Sequence, residues 1–316
     1  MHDVLSALLS TIRLSGALQF CFMPAGDWET DAAPSMAKMS GRGSGTMPFH
    51  VMVSGTCWLK MEEIDTTLET GDVVMFPVGT GHQLGVGRGG RLVTPTRDLP
   101  PKPWREIPVL RYGDEGNPVR LLCGYLHCEA VNFAPFGQAL PKFIHIRTNA
   151  GSDSAWLGAT IRQMVEEVDS PRAGSVTMLP RLTEIVFIEI LRHQIMATGP
   201  RAAGWLAALA DKSLARSLSL IHDDPAREWS LEALADAAGL SRSAFAERFQ
   251  AMLGTSPIRY VRDWRLYLAS VALSTTARSI ATIAGEAGYE TEAAFTRAFS
   301  RAYGAPPGAW RASQQA

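Results

Sequence analysis

Apolar positions follow two different rhythms along this chain. Between residue 14 and about 148 they come in short runs, such as Phe49–Leu59, Val73–Phe76 and Arg120–Leu126, cut by GRGSG, ETGD, PVGTG, GRGG, DLPPKP and YGDEGNP. Short apolar runs between glycine- and proline-bearing turns predict many strands in a sandwich or barrel. From Ser154 the period lengthens. In Arg181–Ala197, residues Leu182, Ile185, Val186, Ile188 and Leu191 recur at helical spacing, as do the apolar residues of Ala155–Val168, and DSPRAG separates the two. This pair predicts a helical hairpin, with ATGPRAAG (197–204) as the linker to an all-helical tail.

The tail contains an internal repeat. Leu231, Leu234, Ala235, Gly239 and Leu240 correspond to Ile280, Ile283, Ala284, Gly288 and Tyr289. After one extra residue in the second turn, Phe245, Phe249, Gly254 and Pro257 correspond to Phe295, Phe299, Gly304 and Pro307. Each position has a physical task. A small alanine lets two helices cross closely, and the glycine four residues on allows a left-handed turn without steric cost. Ser241 or Thr291 then caps the following helix, and phenylalanines at i and i+4 bury its inner face.

This order of glycine, paired phenylalanine, glycine and proline resembles the AraC/XylS DNA-binding module over residues 213–312, with helix-turn-helix units at 231–253 and 280–303. An opening helix is expected at Leu214–His222 and a connecting helix at Pro257–Leu273. The resemblance implies recognition helices Ser241–Leu253 and Thr291–Tyr303 in successive major-groove segments of double-stranded DNA, about 34 Å apart. It places Ser243, Ala246, Glu247, Ala293, Ala294, Thr296 and Arg297 at the base edges. There Arg297 can fork onto guanine and Glu247 can accept from cytosine. Arg242, Arg248, Arg301 and Arg311 are expected at phosphates. RNA polymerase is a further partner that the resemblance implies.

Composition changes this picture little. The chain has 316 residues, 46% of them hydrophobic and 19% charged, with a net charge of -1. That suits a two-domain globular protein and excludes disorder. From Ser213 onward eleven arginines face ten acidic residues, so affinity for DNA should rest on locally placed arginines rather than on long-range steering. The N-terminal stretch lacks a signal-peptide pattern, and no run is long enough for a membrane span, so the cytoplasm is the expected compartment. Four cysteines do not make a disulfide framework.

Candidate chemistry lies upstream. Gly71–His82, GDVVMFPVGTGH, follows the second cupin motif, with Pro77, Gly79 and His82 at its spacing. It resembles the cupin-type sensor half of one AraC subgroup, as do HVMVSGTCWL (50–59) and LLCGYLHCE (121–129). Val86 replaces the usual asparagine, and His50 stands alone where metal-binding cupins carry two histidines and a glutamate. Three readings stay open. His50, His82, Cys123 and Cys128 offer an N/S set for zinc or another divalent metal, if Gly124 bulges so that both cysteines reach one ion. In the second reading the same residues are packed and hydrogen-bonded in a barrel. Alternatively, Cys21, Cys57, Cys123 and Cys128 report oxidation.

The expected fold class is α+β: a cupin-like β-barrel (1–150), a helical hairpin (151–204) and an all-α domain with two helix-turn-helix units. The expected function is a transcriptional regulator, not an enzyme. It would be a homodimer through residues 154–197, governed by a small-molecule or redox signal. The alternative is a metal-dependent cupin enzyme with a helical appendage.

Overall fold

The computed structural model describes residues 4–11, 14–32, 45–113, 116, 118–148, 155–197 and 204–315. Residues 198–203 of the expected linker, most of the GRGSG string and part of YGDEGNP lie outside them. The strands are β1 (Leu14–Pro24), β2 (Trp28–Asp31), β3 (Thr46–Ser54), β4 (Thr56–Met61), β5 (Ile64–Glu69) and β6 (Asp72–Met75). They continue with β7 (Gln83–Val86), β8 (Arg91–Leu92), β9 (Val109–Tyr112), β10 (Arg120–Cys128) and β11 (Ile144–Arg147). Among the described residues they form a six-stranded sheet, β11-β6-β3-β10-β1-β9, and a five-stranded sheet, β5-β4-β7-β2-β8.

The expected barrel is therefore corrected to two separate sheets, which share no strand and do not close on each other. The reason is visible at Gly55. The run Phe49–Leu59 is two strands, and Gly55, with φ of +86°, lets the chain leave one sheet and enter the other. Alternating side chains from both sheets then bury a shared core that includes Phe22, Trp28, Met52, Leu59, Phe76 and Leu121.

The hairpin forms as expected from α3 (Ala155–Asp169) and α4 (Ser175–Ala197), but α4 starts six residues before Arg181 and runs through Pro180. Pro180, the sixth residue of this helix, cannot donate to the Val176 carbonyl, and its ring crowds that carbonyl. Helix α4 lies against β1, where a Cβ added to Gly16 would meet the Thr183 methyl at 2.5 Å.

Two compact units result, and they do not follow chain order. One contains Leu14–Glu129 and Leu140–Gln194. The other contains Met1–Arg13, Ala130–Ala139 and Ile195–Ala316. The second is helical, beginning with α1 (Val4–Thr11), α2 (Ala134–Gly137), α5 (Trp205–Ala210) and α6 (Lys212–Asp223). Next come α7 (Leu231–Ala238), α8 (Arg242–Leu253) and α9 (Pro257–Thr275). The unit ends with α10 (Ile280–Glu286), α11 (Glu292–Tyr303) and α12 (Pro307–Gln315). No helix among the described residues is long and apolar enough to cross a membrane.

Candidate nucleic-acid interface

Helices α7 and α8 are joined by a glycine turn, and α10 and α11 by a second one. Ser230 caps α7 by accepting from the Ala233 N–H at 3.1 Å, and Ser241 caps α8 by accepting from Ala244 at 3.3 Å. In the second pair Ser279 accepts from Thr282 at 3.0 Å and Thr291 from Ala294 at 3.2 Å. Gly239 and Gly288 have φ of +68° and +74°, where a side chain would be strained. Phe245 with Phe249, and Phe295 with Phe299, are fully buried, each pair with ring centroids 5.5 Å apart. The inner face of each helix is thereby pinned, and the opposite face is left to solvent.

That outer face carries the residues expected at base edges. Ser243 and Glu247 are exposed on α8 with Ala246 half-buried between them, and Ala293 and Arg297 are exposed on α11 beside half-buried Ala294 and Thr296. The expected phosphate contacts divide into two groups. Among the described residues Arg242 and Arg301 make no ion pair, and neither does Arg297. Arg248, in contrast, donates from Nε to the Asp211 carboxylate at 2.9 Å, and Arg311 donates to the Arg278 carbonyl. Asp211 also caps α6, accepting from the Ser213 and Leu214 N–H groups at 3.0 Å. Arg248 therefore braces α8 against α6 through Nε and one terminal nitrogen.

Two arginines that sequence reasoning passed over, Arg259 and Arg262, converge here with the expected Arg301. Arg259 and Arg262 of α9 and Arg301 of α11 line a cleft of about 350 Å³ with a single acidic partner, Asp263. Their spacing on α9 was visible as arginine every third residue, but only packing shows which of them meets α11.

Behind the first helix pair lies a buried aromatic cluster that sequence reasoning also missed. Trp205 Nε1 donates to the Tyr260 hydroxyl at 2.7 Å, and His222 Nε2 is 2.8 Å from the same oxygen. Phe133 packs edge-on to Tyr260 and Trp264 at 5.3 and 5.1 Å, and Phe136 packs against Trp205 at 5.4 Å.

In the sheet unit, His50, His82 and Cys123 do come together. Register sets His50 of β3 opposite Cys123 of β10, with Nδ1 3.1 Å from Sγ. His50 Nε2 lies 2.7 Å from His82 Nε2, and Phe76 stacks on the His82 ring at 3.6 Å. The three form a chain rather than a convergent set. Two nitrogens on one zinc ion stand about 3.3 Å apart, given Zn–N bonds of about 2.0–2.1 Å, so 2.7 Å is a hydrogen bond. Cys123 addresses the other nitrogen of His50. The β10–β3 register runs unbroken from Leu121 to His127, so Gly124 does not bulge and Cys128 stays on the opposite face from Cys123. These residues do not fit a shared metal, and among the described residues no group of three or more His, Cys, Asp or Glu could hold one.

The thiols are no better placed for redox chemistry. All four cysteines are buried. Burial pushes Cys57 up to about 12 and Cys123 well above the ordinary thiol range. Burial also raises Cys21, although Arg120 donates to its sulfur at 3.3 Å. Thiolates, the reactive form, are disfavoured at each of these three.

Comparison with known proteins divides the chain in sequence order. Residues 3–196 match the cupin family and residues 234–313 a helix-turn-helix domain. An HTH-type transcriptional regulator of Haemophilus influenzae is 28% identical over 312 residues, spanning 98% of this chain and 99% of its own. An AraC-like transcription regulator of Streptomyces lividans is 29% identical over 322 residues, 98% of this chain and 97% of its own. The transcriptional regulator AlkR of Acinetobacter baylyi is 27% identical over 313 residues, 98% and 99% respectively.

Proposed function

The chain belongs to the cupin family and carries an AraC-type helix-turn-helix domain behind it, and from that premise we infer that it is a DNA-binding transcriptional regulator. The observation that carries this reading is the pair of capped helices, α8 and α11. Each has two buried phenylalanines fixing one face and exposed polar residues on the other. Each pair is read as one helix-turn-helix unit, with α8 and α11 entering the major groove. Arg297 and Glu247 then read bases, assisted by Ser243, Ala246, Ala293, Ala294 and Thr296, while Arg242 and Arg301 hold phosphates.

The sheet unit is the sensing half, and the hairpin joins two chains. On α4, the partly or largely exposed Met178, Ile185 and Met196 are spaced seven and eleven residues apart and so share one helical stripe, which supports a dimer contact. RNA polymerase is the partner through which a bound dimer would act on transcription. The enzyme alternative is disfavoured by the linear Cys123–His50–His82 arrangement.

A gel-shift titration on DNA flanking the coding sequence tests the assignment. Wild-type protein should bind specifically and in a salt-dependent manner. Arg297→Ala should weaken specific binding about tenfold or more, in line with the loss of one bidentate guanine contact. Arg242→Ala should instead weaken all sequences alike and flatten the salt dependence. If Arg297→Ala and Glu247→Ala both left the specific affinity unchanged, the base-reading roles would be wrong.

A further inference from the structure

The sheet unit holds a second cavity, away from the His50–His82 chain. It lies between β1, the 102–107 loop and the α3–α4 hairpin, and has a volume of about 330 Å³, within the range of small-molecule sites. Its walls are largely carbon: Leu18, Trp104, Ile107, Val168, Val176 and Leu179. Of the two carboxylates that line it, Glu106 is exposed and Glu167 is already satisfied. Glu167 accepts from the Ser175 hydroxyl at 2.5 Å, from Arg172, and from Gln163 at 3.2 Å.

One polar group has no protein partner. Gln19 lines the cavity, is only 7% exposed, and has no side-chain partner among the described residues. Its amide looks onto the solvent of the cavity, where water or a group of a bound molecule can meet it. Local backbone geometry accounts for its direction. Leu18 pairs with Gly124 and Phe20 with Cys123, so Gln19 is the extra residue of a β-bulge. A bulge re-aims a side chain that strict alternation would send elsewhere. Here it turns Leu18 and Gln19 together into the cavity while Phe20 and Phe22 stay in the inter-sheet core. In the opposite wall Pro180 has no N–H to offer the Val176 carbonyl one turn back.

We propose that this cavity, under the hairpin and outside the sheets, binds a small neutral molecule, mostly apolar, through one uncharged hydrogen-bonding group that meets the Gln19 amide. The proposal rests on reading the sheet unit as the sensing half. It identifies where an effector binds and what class it belongs to. A charged ligand is disfavoured because the other charged residues that line the cavity, Lys102, Arg105 and Glu106, are all exposed to water, which screens them, and Glu167 is already paired. An amide or hydroxyl suits Gln19, which both donates and accepts.

The test uses the full-length protein and N-phenyl-1-naphthylamine, a neutral aromatic probe with one N–H, whose fluorescence rises in apolar surroundings. Saturable uptake at one site per chain is expected. Gln19→Leu should weaken it about two- to tenfold, the value of one hydrogen bond. Val176→Trp, at a position 66% exposed and therefore tolerant of size, should fill the mouth and weaken uptake more than about tenfold. Circular dichroism and the gel shift confirm that both variants are folded. Uptake that does not saturate, or that neither variant alters, overturns the site. Variant-sensitive uptake with no change in DNA affinity leaves the site standing and overturns its sensory role instead.

Discussion

His222 lies beneath the indole of Trp264, ring centroids 4.1 Å apart, with Nε2 2.8 Å from the Tyr260 hydroxyl. Burial pushes its pKa down to about 3, and burial likewise brings His82 to about 4 and lowers His50, which also faces His82. In the unfolded chain each would titrate near 6.5, so between that value and the depressed one the unfolded state binds more protons. The stability they contribute is complete above pH 6.5 and is lost as pH falls below it, by about 1.4 kcal/mol per pH unit for each histidine. Thermal melts should therefore show a marked loss between pH 7.5 and pH 5. His222→Gln should melt lower at pH 7.5 yet fall less on acidification, and parallel pH profiles for the two proteins would refute this. At this scale the sequence pointed to His50, His82 and Cys123 as neighbours, because two motifs and a strand register bring them together. It could not show that they meet in a line. It was silent on His222, whose neutrality comes from aromatic rings distant in sequence.

Among the elements, α8 and α11 are the most legible. They were expected at Ser241–Leu253 and Thr291–Tyr303 and occur as Arg242–Leu253 and Glu292–Tyr303, with the expected serine and threonine as caps. Caps, turn glycines and i, i+4 phenylalanines are local devices, so the sequence encodes them within a few residues. Their energetic ranking follows from burial. Thr291→Ala removes one capping bond and should cost about 1 kcal/mol. Phe299→Ala empties a site in the cluster of Leu266, Ile283 and Phe295 and should cost about 3–5 kcal/mol. Urea unfolding of the two variants measures both, and equal losses would show that α11 is held by its cap rather than its core. Elements whose ends depend on tertiary support were less legible. Helix α4 continues back through Pro180, and Phe49–Leu59 splits at Gly55.

For the molecule as a whole, the units in space are not the segments in the chain. Residues Ala130–Ala139, between β10 and β11, belong to the helical unit, where Phe133 is 2% exposed among Tyr260, Trp264 and Tyr267. Phe133→Ala should therefore destabilise the helical unit by about 3–5 kcal/mol. Hydrogen exchange should speed up along α9, although the substitution lies far upstream in sequence; unchanged protection of α9 would contradict the assignment. The sequence by itself determined the two kinds of unit, the tandem helix pairs, the outward faces of their second helices and the family, because periodicity, caps and turn residues act over a few positions. Only the tertiary structure decided that the strands form two open sheets, that His50, His82 and Cys123 make a chain instead of a metal site, and that Arg248 is tied to Asp211. It also decided that a bulge aims Gln19 into a cavity. Each of these depends on which distant residues meet, and that is set by long-range packing, on which local spacing carries no information.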